Sequence, residues 1–108
     1  MTDTTNLLLN NLRNELQLTI IDEATKIRLE RYLEEGKCAI RDRIGMELDY
    51  TLSENKAILI NYCVYAYYHM LDEFFERYKN DVAAIKKREA LKYYANKLYE
   101  EKNKNQII

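Results

Sequence analysis

Three groups of side chains in this 108-residue chain have types and spacings that chemistry uses. His69 precedes Asp72, Glu73 and Glu76, and a histidine grouped with carboxylates on a helix is how bundles build metal sites. Here the set is incomplete. His69 is the only histidine and no Glu-x-x-His pair accompanies the carboxylates, so a metal site or a catalytic triad would need residues from elsewhere. The carboxylates read as a solvated helix face, and His69 as a structural or interfacial hydrogen-bonding residue. Cys38 and Cys63 are too few and too isolated for zinc or a disulfide framework. Cys63 lies at the edge of an apolar stripe and reads as a small buried residue, while Cys38, opposite its helix's stripe, has no cationic cluster to activate it. Lys86, Lys87, Arg88 and Lys92 with Tyr93 and Tyr94 form a basic patch interleaved with aromatics, which could touch nucleic-acid phosphates. Glu89, Glu100 and Glu101 follow closely and weaken it. There is no glycine-rich phosphate loop. No catalytic, cofactor-binding or metal-ligating set is expected, and the chain does not read as an enzyme.

The elements that would position these residues are helical. With two Gly, no Pro and ten Tyr, the composition predicts an all-α chain whose buried aromatics carry polar tips that need partners or water. Thr4, Thr5 or Asn6 can cap a short helix reaching about Leu16, with Leu8, Leu9, Leu12 and Leu16 on one side. Asp22 is a good N-cap for a second helix from about Glu23 to Ile44, whose stripe is Leu29, Leu33, Gly36, Ile40 and Ile44, and Gly45 stands where a left-handed C-cap belongs. Gly36 lies inside that stripe, where it costs about 1 kcal/mol relative to Ala, and this suggests the close approach of another helix.

A long central helix is expected over about 52–85, opened by a Thr51–Glu54 capping box. Its core stripe is Ile60, Val64, Tyr67, Leu71, Phe74, Tyr78, Val82 and Ile85. Ile58, Tyr62, Tyr65 and Ala66 line the opposite face of its first half, with His69 beyond, so that half is apolar all round and asks for two sets of neighbours. A monomer of this size supplies one set comfortably, which assigns Ile58, Tyr62, Tyr65, Ala66 and His69 to a subunit interface. After Ile85 the apolar residues Ala84, Leu91, Ala95 and Leu98 lie about 120 to 140° round from the core stripe. Either the helix breaks near Asn80-Asp81, with Asn80 as a cap, or it continues and offers this second stripe to another partner. The expected organisation is a helical domain over 1–85 and a C-terminal helical extension with a polar tail over 86–108.

The charges nearly cancel, 17 basic against 18 acidic, so no whole-chain field draws the protein to nucleic acid or anionic lipid. Their distribution is uneven: residues 1–80 carry a net −4 and residues 81–108 a net +3. The apolar runs are short and the N-terminus lacks a basic n-region, so neither a membrane span nor a signal peptide is expected, and the cysteine usage suits a reducing cytoplasm.

The order of a short Leu-rich helix, a capped second helix with an Ala-Ile interior and a third reading Ala57-Ile58-Leu59-Ile60-Asn61-Tyr62-Cys63-Val64-Tyr65-Ala66-Tyr67, then Leu71-Asp72-Glu73-Phe74-Phe75, resembles the head-tail connector proteins of tailed bacteriophages. The likeness covers roughly residues 7–87. It implies a small helical bundle with an architectural role as a head-completion adaptor in the virion, at the head-tail interface, assembled in the host cytoplasm. Such adaptors form a homo-oligomeric ring, typically of twelve copies, beneath the portal protein and present a platform to a tail-side stopper or tail component. DNA passes through the channel without specific readout. The resemblance assigns portal docking to the C-terminal segment, here Lys87, Arg88, Leu91, Lys92, Tyr94, Ala95 and Leu98. The competing expectation is a helical nucleic-acid-binding packaging or regulatory module that uses the 86–92 basic patch.

Overall fold

The computed structural model describes residues 3–106. Among them the chain is all-α, with α1 at Asp3–Glu15, α2 at Glu23–Ile44, α3 at Ser53–Tyr67, α4 at Leu71–Arg77 and α5 at Lys79–Gln106. α3 is the central element and packs against α1, α2 and α4. α1 contributes Leu8, Leu9, Leu12 and Leu16 to the core, all buried, and α2 contributes the expected stripe from Leu29 to Ile44. The α2 ends also follow the sequence: Asp22 Oδ1 accepts from the Thr25 N–H at 2.7 Å, and Gly45 adopts a left-handed φ of 90° while its N–H closes on the Arg41 carbonyl. Gly36 marks a close approach of α2 and α3. A Cβ there would sit 2.8 Å from Leu59 Cδ1 and 2.9 Å from Tyr62 Cδ1.

The expected continuous helix over 52–85 is broken at Tyr68-His69-Met70. The Met70 N–H bonds back to the Tyr65 carbonyl at 2.8 Å and the His69 N–H to the Ala66 carbonyl at 3.1 Å, the pair of bonds that closes a Schellman motif. His69 occupies the left-handed position, φ 59°, that glycine ordinarily takes. Gln17 does the same after α1, with φ 60°, and the Leu18 N–H bonds to the Arg13 carbonyl. The physical reason for the break lies in Phe74. On a straight helix it would sit about 18 Å along the axis from Tyr62. After the turn the two ring centroids are 5.2 Å apart and Phe74 is fully buried. Tyr65, Phe75 and Tyr78 complete this aromatic cluster around Phe74. The core periodicity of Phe74, Val82 and Ile85 is therefore real, although the helix that carries it is not continuous.

Non-glycine residues in the left-handed region cost roughly 1–2 kcal/mol, part of which glycine gives back through unfolded-state entropy. His69→Gly is accordingly expected to stabilise the protein by about 0.5–1 kcal/mol, whereas the β-branched His69→Val destabilises it. Thermal melts of the two variants against wild type check this, and midpoints that move together would refute it.

The entry to α3 differs from the expected capping box. Leu52 is the N-cap and makes no side-chain cap. Thr51 instead turns to Asp49, whose Oδ1 accepts from the Thr51 N–H at 3.0 Å and from its hydroxyl at 2.6 Å, and this lowers the Asp49 pKa. Glu54 is free of the cap and reaches α5. The last joint, at Tyr78, is a single residue between α4 and α5, so Asn80 lies within the first turn of α5 and is not its cap. α5 passes through the expected boundary at 85/86 without interruption and gives the molecule its 61 Å length.

Candidate docking surface

α5 is two structures in one helix. Its root, from Lys79 to Ala90, is tied to the bundle: Val82 and Ile85 are buried, and the helix packs on α2 and α4. Its arm, from Leu91 to Lys102, is exposed at every position. Leu91, Tyr94 and Leu98 are 61%, 62% and 66% exposed, large values for apolar side chains on a regular helix. They share one side with Ala84 and Ala95, about 140° round from the buried Val82 and Ile85.

Arg88 fixes the root to the start of α3. One guanidinium nitrogen pairs with Glu54, and the other donates to Asn55 Oδ1 at 2.7 Å and to Glu89 Oε1 at 3.1 Å. Asn55 is fully buried and passes the link on through its Nδ2, which donates to the Asp49 carbonyl at 2.9 Å. Arg88, expected as a docking residue, is turned inward: both terminal guanidinium nitrogens are engaged within the molecule, while its buried Nε has no hydrogen-bond partner among the described residues. The Glu54 partner is largely exposed and contributes little, whereas removing the donor to buried Asn55 leaves an acceptor unpaired. Arg88→Ala is expected to lose about 1–3 kcal/mol and Glu54→Gln less than about 0.5 kcal/mol. Urea titrations rank the two, and an equal loss would contradict this division.

Beside Arg88, α3 and α5 enclose a groove of about 370 Å³ with Ala57, Ile58, Ala84 and Ile85 as its apolar lining and Glu54 and Asp81 on its rim. It continues onto the exposed stripe of the arm through Ala84.

Of the residues expected at a subunit interface, Ile58, Tyr62 and Ala66 are buried inside the monomer and that assignment is corrected. α3 is indeed apolar all round, but α1, α2 and the folded-back α4 supply both sets of neighbours. Tyr65 is partly buried and its hydroxyl accepts from Arg77 at 3.1 Å. His69 is exposed at the corner between α3 and α4, with Tyr68 and Met70 also exposed beside it. Its backbone makes the turn there. Sequence reasoning missed this corner because it looked for glycine. The other docking residues, Lys87, Leu91, Lys92, Tyr94, Ala95 and Leu98, are all exposed. Lys92 lies 3.9 Å from Glu89.

No group of His, Cys, Asp and Glu among the described residues could hold a metal ion. The Cys63 thiol is buried and pushed up to about 12, which leaves it protonated and inert, and Cys38 is exposed. No helix among the described residues is long and apolar enough to cross a membrane. No family model, curated protein or solved structure matches the chain.

Proposed function

We propose that this chain is a structural adaptor of the head-tail connector type, which docks beneath a phage portal through the arm of α5 and links the DNA-filled capsid to the tail. The observation that carries this reading is an arm of regular helix whose Leu91, Tyr94 and Leu98 are exposed while the bundle behind it has a closed core. A helix with an unpartnered apolar stripe, held at one end by a buried anchor, is built to lie in another protein's groove. Lys87 and Lys92 flank the stripe and suit an acidic docking surface. The bundle serves as the platform. With Ile58, Tyr62 and Ala66 inside the core, ring neighbours would use the exposed corner at Tyr68, His69 and Met70. No enzymatic step is assigned.

The nucleic-acid reading is the weaker one. Arg88 is bound to Glu54, Asn55 and Glu89, which leaves Lys86, Lys87 and Lys92 as the cationic side chains of that patch turned to solvent, beside the exposed Tyr93 and Tyr94. Electron microscopy of the protein mixed with its portal tests the proposal. A ring of added density at the DNA exit is expected, and portal rings left bare at saturating protein would overturn it. Steeply salt-dependent binding to duplex DNA in the same preparation would favour the alternative.

A further inference from the structure

We propose that a second copy of this chain covers the stripe of α5 when no other partner does, through a two-fold antiparallel pairing of the two α5 helices. This does not rest on the portal reading. It follows from the order of residues along one exposed face.

That face runs from Ala84 beside the groove to Leu91, Ala95 and Leu98 on the arm. With Leu91 of both copies on the two-fold axis, Leu98 of each copy falls over Ala84 of the other, a large side chain opposite a small one. Leu98 can then enter the groove lined by Ala57, Ile58 and Ile85. The small Ala84 and Ala95 allow the helices to approach closely. With Leu91 on the axis, the root of each α5 lies beside the arm of the other, so the two bundles sit at opposite ends of the pair.

Charge selects the antiparallel sense. At the groove Glu54 is already paired with Arg88, which leaves Asp81 as the acidic group facing the partner, and the end of the arm carries Lys102 on the stripe side. Antiparallel pairing brings Lys102 of each copy to Asp81 of the other. Parallel pairing would set Asp81 against Asp81 and Lys102 against Lys102, and like charges so placed are destabilising. The same opposition exists on the larger scale, since residues 1–80 carry a net −4 and residues 81–108 a net +3. About five turns of helix per copy would bury on the order of 1,000 Å² in total, at the small end for a specific interface. The pairing is therefore weak enough for a partner that takes the same stripe to displace it.

Sedimentation velocity of the full chain over a concentration series is the first test, and reversible monomer–dimer behaviour is expected. Leu98→Glu should raise the dissociation constant at least tenfold with unchanged helicity, because Leu98 supports nothing in the monomer. Cysteine cross-linking fixes the register. In a Cys38→Ser background, Leu91→Cys should form a covalent dimer under oxidised glutathione, whereas Tyr93→Cys, on the other side of the arm, should not. A wild-type chain that stays monomeric up to about 1 mM overturns the proposal, as does a Tyr93→Cys variant that cross-links as readily as Leu91→Cys.

Discussion

Phe74→Ala is expected to remove about 3–5 kcal/mol of folding stability, the largest loss from any single truncation in this chain. Phe74 is fully buried, and its ring meets those of Tyr62, Tyr65, Phe75 and Tyr78 at centroid distances of 5.2, 5.7, 5.0 and 4.9 Å. The substitution therefore removes apolar burial, several edge-to-face and stacked contacts, and the fully buried anchor of the short α4 on α3, leaving only the outer contacts of Phe75 with Tyr62 and of Arg77 with Tyr65. α4 has only seven residues and cannot persist without that packing. Because small domains have about 5–15 kcal/mol in hand, the variant should lie near the threshold of unfolding. Urea denaturation followed by circular dichroism measures the loss. Tyr68→Ala, which removes an exposed ring only six positions away, should cost under about 0.5 kcal/mol. A loss below about 1 kcal/mol for Phe74→Ala would mean that α4 does not fold back on α3.

Gly36→Leu comes next, with an expected loss of about 3 kcal/mol or more. The Cβ alone would meet Leu59 and Tyr62 at 2.8 and 2.9 Å, and the rest of the leucine would have to enter a filled core. The helix-propensity gain of about 1 kcal/mol does not offset this. Gly36→Ala is different. The Leu59 contact is with the end of a flexible side chain, which can yield, but the buried Tyr62 ring at 2.9 Å is packed against Phe74, so the clash outweighs the propensity gain and the loss should be about 1–2 kcal/mol, smaller than for leucine. The contrast isolates helix separation from backbone propensity, since both variants change propensity in the same direction.

Much of the fold is legible in the sequence. Asp22 and Gly45 bound α2 because their side-chain and backbone properties are local, and the stripes of α1 and α2 need only a 3.6-residue period. Gly36 announces a close helix contact for the same reason. The break at His69 is not legible, because its closing residue is not glycine and the force behind it is the tertiary attraction of Phe74 for Tyr62 and Tyr65. Missing that turn led to a wrong partner for α3: an apolar face that needed a second set of neighbours was assigned to another subunit, when α4 of the same chain returns to cover it. Thr51 and Glu54 show a related limit. Their spacing fits a capping box, but Asp49 and Arg88 offer each a better bond, and Arg88 is 34 residues away from Glu54. The arm itself was visible as a rotated stripe after Ile85, because rotation of the apolar face is a property of the helix alone. Where the bundle's grip ends was not, since the Arg88–Asn55 link extends it to Ala90.

On the reading proposed above, a self-sufficient bundle carries an arm that docks on a portal. The most direct measurement compares the full chain with a chain ending at Ala90, in thermal stability and in binding to the portal. Every buried residue lies before that end among the described residues, so the shortened protein should melt within a few degrees of the full chain, consistent with a change under about 1 kcal/mol. Its portal binding should fall at least a hundredfold, because Leu91, Tyr94 and Leu98 are gone. A shortened chain that binds the portal with undiminished affinity, or one that unfolds, would contradict the account.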